Sequence, residues 1–327
     1  MPTTSMQAEC DKIRSSGDEC RRKFSGGNLL VVATDMDGTI LDPKHRLTER
    51  TKDTLYELST RGVHIIFATG RHHSCVYATR RDLLEHYRRR STARGVPDSP
   101  TTGYEGFYII SSNGARVHNP NGDLIFLRDL DSDIVRVLYE RFGIRDHGDD
   151  PRKVLSVSAY QTEKWWINRT IMSDEESLAM FGVVPDLHPD LLKEFPTTGV
   201  GKVCFRCYDR DILHQYEAEI KELFHGRATA VMSSEICLDV MAAGVSKAAA
   251  LREIGRILKF DPEREAIAFG DSMNDGDMLC SVAKGCIMGN GQSRLKESLP
   301  HLEVVGSSSE DGVARKLQEV FQIFHEW

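Results

Sequence analysis

No stretch of this 327-residue sequence is apolar for long enough to form a membrane-spanning helix. It lacks the apolar core of a secretory signal. Residues 1–27 are polar and of mixed charge, and Asp11, Asp18 and Glu19 argue against a mitochondrial leader. A disordered tail is expected there, and His325-Glu326-Trp327 matches no sorting signal. Positive charge is not in excess: 42 Lys and Arg stand against 49 Asp and Glu, a formal net charge of -7. Nucleic acid, whose phosphates select basic faces, is therefore excluded as the main partner. Paired cysteine spacing is scarce too. The eight cysteines sit mostly inside apolar segments, as free buried thiols of a reducing, cytoplasmic compartment do. Cys204 and Cys207 have the spacing of a redox or zinc half-site, but in a strand positions i and i+3 face opposite ways. Oligomeric state has no signature here.

What is present is a series of buried strands that end in polar residues. Val31-Val32-Ala33-Thr34-Asp35-Met36-Asp37-Gly38-Thr39-Ile40 begins apolar and β-branched, which suits a strand covered on both faces. It delivers two carboxylates where the strand should end. Residues i and i+2 of a strand share a face, so Asp35 and Asp37 project together and repel unless a cation stands beside them. Mg2+ suits such an all-oxygen site. A helix is predicted over 47–62, with Gly62 as its stop. Val63 to Thr69 is a second strand, running into Thr69-Gly70-Arg71, whose hydroxyl and open backbone N–H groups suit an anion. The next helix is expected to run from Arg71 past Tyr87, with His72 and His73 exposed on it and Arg88, Arg89, Arg90 and Arg94 at a solvated end. Residues 95–106 read as a loop. Phe107 to Ser112 is a third strand, and Asn113-Gly114 a tight turn after it.

This alternation predicts an α/β fold with a Rossmann-like parallel sheet, whose ligands gather at the C-terminal strand ends. Asp35, Asp37, Thr69 and Asn113 all fall there. From 115 to 243 the character changes to shorter, alternating strands (154–160, 201–208, 229–233) and a helix over 210–224, which reads as an inserted α+β domain. Of Trp165 and Trp166, one is expected to pack inward and the other to lie on the surface. Residues 173–196 carry no metal-ligand pattern. The core pattern resumes at Gly244-Val245-Ser246-Lys247, with Ser246 as helix cap and Lys247 in the first turn, where the helix dipole disfavours a cation unless anions lie near. Ala266 to Gly270 is a strand running into Asp271, Asn274 and Asp275. Gly285 to Asn290 gives another, and Val313, Leu317, Val320, Phe321 and Phe324 pin a last helix to the core.

Taken in order, Asp35-Met36-Asp37-Gly38-Thr39, Thr69-Gly70-Arg71, Lys247 and Gly270-Asp271-Ser272-Met273-Asn274-Asp275 resemble the four motifs of a haloacid dehalogenase (HAD) superfamily phosphatase. Ser112-Asn113-Gly114, Met288-Gly289-Asn290 and Asp311-Gly312-Val313-Ala314 resemble its Cof-type branch, which carries a large α/β cap of the C2 type. The resemblance implies a catalytic core over 28–114 and 244–327 and a cap over 115–243, with hinges near Asn113-Gly114 and Ala243-Gly244. It further implies Asp35 as nucleophile, forming an aspartyl-phosphate. Asp37 is implied as general acid and then base, with a raised pKa in the complex. Thr69, Gly70, Lys247 and Asn274 would hold the phosphoryl group. Asp35, Asp271 and the Asp37 backbone carbonyl would ligate Mg2+, with Asp275 and Asn113 supporting. The substrate would be a small phosphorylated metabolite, a sugar phosphate first among them. Two alternatives stand beside it: a phosphosugar mutase, and a non-catalytic sensor of phosphate ligands, although every charged motif residue is present.

Overall fold

The computed structural model describes residues 29–93, 107–148, 150–170 and 172–323. The expected tail, the loop over 95–106, Arg94 and Phe324 lie outside the described residues.

Eight strands form the larger sheet. In chain order these are β1 (Val31–Thr34), β2 (His64–Ala68), β3 (Tyr108–Ser111), β4 (Arg116–His118) and β5 (Leu124–Leu127). After a long insertion come β12 (Ala266–Gly270), β13 (Lys284–Ile287) and β14 (Glu303–Val304). The spatial order is β14-β13-β12-β1-β2-β3-β4-β5. Pairing is parallel from β14 to β3 and antiparallel beyond it. The central strands are apolar at nearly every position, Thr34 and His64 excepted, because both faces are covered. Val32, Ile65, Phe67, Ile267 and Phe269 pack on one side; Val31, Ala33, Ile66, Ala68, Ala266 and Ala268 pack on the other. Helices Glu49–Thr60 and Gly312–Val320 close the first side, and Lys247–Leu258 the second.

The smaller sheet comprises β6 (Ser156–Tyr160), β7 (Trp165–Ile167), β8 (Asp186–Leu187), β9 (Lys202–Arg206), β10 (Ala228–Ser234) and β11 (Cys237–Ala242), in the order β10-β11-β9-β6-β7-β8. Its strands alternate. Val157, Val203, Phe205, Leu238 and Val240 face a core shared with helix Arg210–Leu223 and the helical stretch Ser132–Gly143. Lys202, Cys204, Asp239 and Met241, on the opposite face, look toward the end of the larger sheet. Cys204 and Cys207 fall into different apolar clusters, as opposite facing requires. Trp165 is buried and Trp166 half-buried.

Three readings change. The chain does not leave the larger sheet at 115: the hairpin β4–β5 extends its antiparallel edge, and the smaller sheet with its helices begins only after Leu127. Three short strands, β7, β8 and β14, carry too few residues to show a period. The helix expected from Arg71 begins at Tyr77, after a tight turn over His73–Val76 that His72 caps. His72 and His73 are therefore buried rather than exposed. His72 Nε2 lies 2.9 Å from the Gln161 carbonyl oxygen of the insertion, and burial pushes its pKa down to about 4.

Candidate active site

β1 sits between β12 and β2, so the C-terminal ends of three adjacent strands converge. Each end delivers its polar residues into one crevice. Asp35 follows β1, Thr69 and Gly70 follow β2, and Asp271 follows β12; Asn113 follows the next strand, β3. The turn after Asp35 depends on Gly38, whose φ is 71°. A Cβ there would lie 2.6 Å from Asp271 Oδ2, so any other residue would strain the turn and displace Asp271.

Lys247 is fully buried, at 0% exposure. The helix Lys247–Leu258 begins at Ser246, whose hydroxyl accepts from the Ala249 N–H. That fixes the lysine at the positive end of the helix, where carboxylates hold it. Its Nζ donates to Asp35 Oδ1 at 2.5 Å and to Asp275 Oδ1 at 2.7 Å. Asp275 Oδ2 accepts from the backbone N–H groups of Asp271 and Ser272, each at 3.0 Å. Both Asp275 oxygens are thus engaged, and this residue orients the lysine and the turn. Thr39 donates to Asp271 Oδ1 at 3.2 Å.

Asp35, Asp271 and Asp275 present oxygens within 4.8 Å of one another, with one ammonium for three carboxylates. Burial and the neighbouring carboxylates outweigh Lys247. Burial, opposed by Lys247 and reinforced by Asp275, pushes Asp35 up to about 7. Burial with Asp35 and Asp275 pushes Asp271 up to about 8. An electrostatic deficit of this kind, lined by oxygen donors alone, fits a hard divalent cation. The cluster can bind a metal.

Asp37 does not join the cluster. Its side chain turns to Arg71, whose Nε donates to Oδ2 at 2.6 Å and whose Nη2 donates to Oδ1, and to His45, whose Nδ1 lies 2.9 Å from Oδ1. Burial would raise the Asp37 carboxyl; the hydrogen bonds from His45 and Arg71 outweigh it and hold the group well below the usual carboxylate range. In this structure the group is therefore not raised, and the reason is its contact with Arg71 and His45, to which the motif reading gave no role. Arg71 also donates to the Met180 carbonyl at 3.2 Å and packs over the Phe181 ring, both on helix Asp174–Phe181 of the insertion.

The crevice has a second polar chain. Asn274 donates to Asn113 Oδ1 at 2.9 Å, and Asn113 donates to Asp239 Oδ2 at 2.7 Å. Asp239 pairs with Lys202 at 3.1 Å, and Lys202 donates to the Gly70 carbonyl at 2.7 Å. The Thr69 hydroxyl is buried and accepts from the Arg71 N–H at 3.1 Å. The expected site residues therefore lie in one connected region. Sequence reasoning missed His45, Lys202 and Asp239 outright. Asp239 had a readable signal, a carboxylate inside the apolar run Cys237–Ala242; His45, in an irregular loop at φ 57°, had none.

The haloacid dehalogenase-like hydrolase family matches residues 32–317. The chain belongs to that family. Within it the protein is a phosphatase of the Cof-type branch. Its sequence is 32% identical over 288 residues to the HMP-PP phosphatase of Escherichia coli (strain K12), spanning 88% of this chain and 94% of that one. Its fold matches a haloacid dehalogenase-like hydrolase from Bacteroides thetaiotaomicron with a TM-score of 0.67, at 22% identity over 90% of this chain and 100% of that one. It also matches a HAD subclass IIB sugar phosphatase, with a TM-score of 0.65 at 19% identity over 90% and 99%. Among the described residues no helix is long and apolar enough to cross a membrane.

Proposed function

We propose that this phosphatase hydrolyses a small phosphorylated metabolite, foremost a sugar phosphate, through an aspartyl-phosphate on Asp35. The observation that carries the reading is the contact of Asp35 with Lys247 beside Asp271, within reach of a second aspartate, Asp37, that stands outside the metal cluster. A carboxylate attacks an anionic phosphoryl group only if the charge is cancelled. Lys247 supplies one positive charge. Mg2+, held by Asp35, Asp271 and the Asp37 backbone carbonyl, would supply the rest by drawing charge from a phosphoryl oxygen.

In the first half-reaction an Asp35 oxygen bonds to phosphorus as the ester P–O bond breaks, and Asp37 gives its proton to the departing alcohol. In the second, Asp37 takes a proton from water as that water attacks phosphorus; the Asp35 carboxylate is released along with inorganic phosphate. Thr69, Gly70 and Asn274 hold the phosphoryl oxygens, and Asn113 and Asp275 support them. The clamp of Arg71 and His45 favours the ionised form of Asp37, so an incoming substrate must loosen it before the first proton transfer. The insertion acts as the cap that excludes water. A small substrate is supported by the similarity to an HMP-PP phosphatase and a sugar phosphatase. The free thiols of Cys75, Cys204, Cys207, Cys237 and Cys286 support a reducing, cytoplasmic setting.

The test is phosphate release from a panel of phosphorylated metabolites with Mg2+ and with EDTA. Release from a few related compounds only with Mg2+ is expected. Isomerised hexose phosphate without release would instead establish the mutase, and binding without turnover the sensor.

A further inference from the structure

The motif Met288-Gly289-Asn290 has no part in the chemistry above. It forms a turn at the end of β13, closed by the Gly291 N–H, which donates to the Met288 carbonyl at 2.9 Å. The turn reaches two of the segments that build the acidic cluster. The Gln292 N–H donates to the Asp271 carbonyl at 2.7 Å, and Asn290 Nδ2 donates to the Gly38 carbonyl at 2.7 Å. β12 lies between β13 and β1 in the sheet, so Asn290 spans the end of β12 to meet the turn that follows β1.

The carboxamide is held at its other end as well. Asn290 Oδ1 accepts from the Ser308 N–H at 2.8 Å. Ser308 starts the short turn Ser308–Glu310, and the next residue, Asp311, accepts from the Thr48 hydroxyl at 2.6 Å. The loop between Gly38 and Thr48 is therefore pinned at both ends by the C-terminal part of the chain. Asn290 itself is exposed, where water competes for both partners and a hydrogen bond adds little to stability. What it fixes is direction. The donor and acceptor of an amide lie on one rigid plane, so a side chain held at both ends sets the Gly38 carbonyl against the turn at Ser308.

Direction matters at Gly38. The peptide unit before it carries the Asp37 carbonyl assigned to Mg2+, and the unit after it carries the carbonyl held by Asn290. Peptide units are planar, so only the two torsions of Gly38 separate these carbonyls. Glycine resists rotation about them least of all residues, and here it stands at a φ of 71°. One residue on, the Thr39 hydroxyl meets Asp271. A free Gly38 carbonyl would let the Asp37 carbonyl swing away from the cluster of Asp35 and Asp271.

We propose that Asn290 is a positioning residue of the metal site, which aims the Asp37 carbonyl at the cation by holding the Gly38 carbonyl. This rests on the assignment of Mg2+ to the acidic cluster. Groups that orient a metal's ligands without touching the metal are worth about tenfold to about a hundredfold in affinity.

The experiment is calorimetric titration of the full chain with Mg2+ alone, for wild type, Asn290→Ala, Asn290→Asp and Thr48→Val, with melting curves in EDTA beside it. Thr48→Val breaks the contact at the far end of the same loop and removes the cap of helix Glu49–Thr60, so it costs stability without touching Gly38. Both Asn290 variants should weaken Mg2+ binding about tenfold or more. They should lower the melting temperature no further than Thr48→Val does, and Thr48→Val should keep the wild-type affinity. Asn290→Asp separates aim from charge. It cannot donate to the Gly38 carbonyl, yet it brings a negative charge near the cluster, which by itself would tighten Mg2+. Unchanged affinity in Asn290→Ala, tighter binding in Asn290→Asp, or an equal loss in Thr48→Val makes Asn290 a surface bridge and overturns the inference while leaving the metal assignment intact. A folded wild type that binds no Mg2+ overturns both.

Discussion

Arg71 joins Asp37 to the insertion. One edge of its guanidinium holds the Asp37 carboxylate, with Nε at 2.6 Å from Oδ2, and Nη1 reaches the Met180 carbonyl at 3.2 Å. The group assigned to proton transfer is thereby tied to the element that covers the site.

Arg71→Met removes two hydrogen bonds that favour the ionised form of Asp37, so its pKa rises. The first step needs Asp37 protonated, and activity on the alkaline side fades as that proton is lost. The alkaline limb of kcat/KM therefore moves to higher pH in the variant, by about one unit or more, while loss of positioning lowers kcat. A pH–rate series on both proteins checks this; an unshifted limb would mean that Asp37 is not the acid.

Asp35 and Asp271, at about 7 and about 8, titrate above their ordinary value of 3.8. A folded-state pKa above the unfolded one contributes stability at low pH that is lost as pH rises through the folded value. In EDTA the melting temperature should fall progressively from about pH 4 to about pH 8. Added Mg2+ takes the place of those protons, so its stabilising effect grows across the same window. Parallel melting curves with and without Mg2+ would count against a cation in this cluster.

Lys247→Met leaves Asp35 and Asp275 buried without their shared cation. The expected cost is about 3–5 kcal/mol near neutral pH, read by urea unfolding, together with loss of turnover. A stability loss below about 1 kcal/mol, a value typical of exposed pairs, would mean that the ion pair contributes little to the fold.

Gly38→Ala puts a Cβ 2.6 Å from Asp271 Oδ2 at a φ of 71°. The left-handed backbone alone costs about 1–2 kcal/mol, and Asp271 must shift. Calorimetry should find weaker Mg2+ binding and a lower melting temperature; unchanged affinity would remove Asp271 from the metal site.

The strand ends were legible because a doubly covered strand is a continuous apolar run, and a carboxylate that breaks it stands out. Val31 to Asp37 and Ala266 to Asp271 both carry that signature, and Ser246-Lys247 was readable as a cap followed by a misplaced cation. The closing contacts were not legible. Arg71, His45, Lys202 and Asp239 come from four segments, and only tertiary structure brings them to Asp37, Gly70 and Asn113. The buried positions of His72 and His73 followed the same logic, since the residue that covers His72, Gln161, lies 89 positions away. The boundary at 115 slipped because the hairpin β4–β5 is short and antiparallel, as the insertion's strands are, and only the structure shows β4 paired with β3.

The central claim is that Asp35 is the nucleophile. The direct measurement is rapid acid quench of the enzyme during turnover with Mg2+ and its best substrate, followed by mass analysis of the peptide that contains Asp35. The account predicts a phosphoryl group on Asp35, absent in Asp35→Asn, which also releases no phosphate. Turnover that persists in Asp35→Asn, or a covalent phosphate found on another residue, would contradict it.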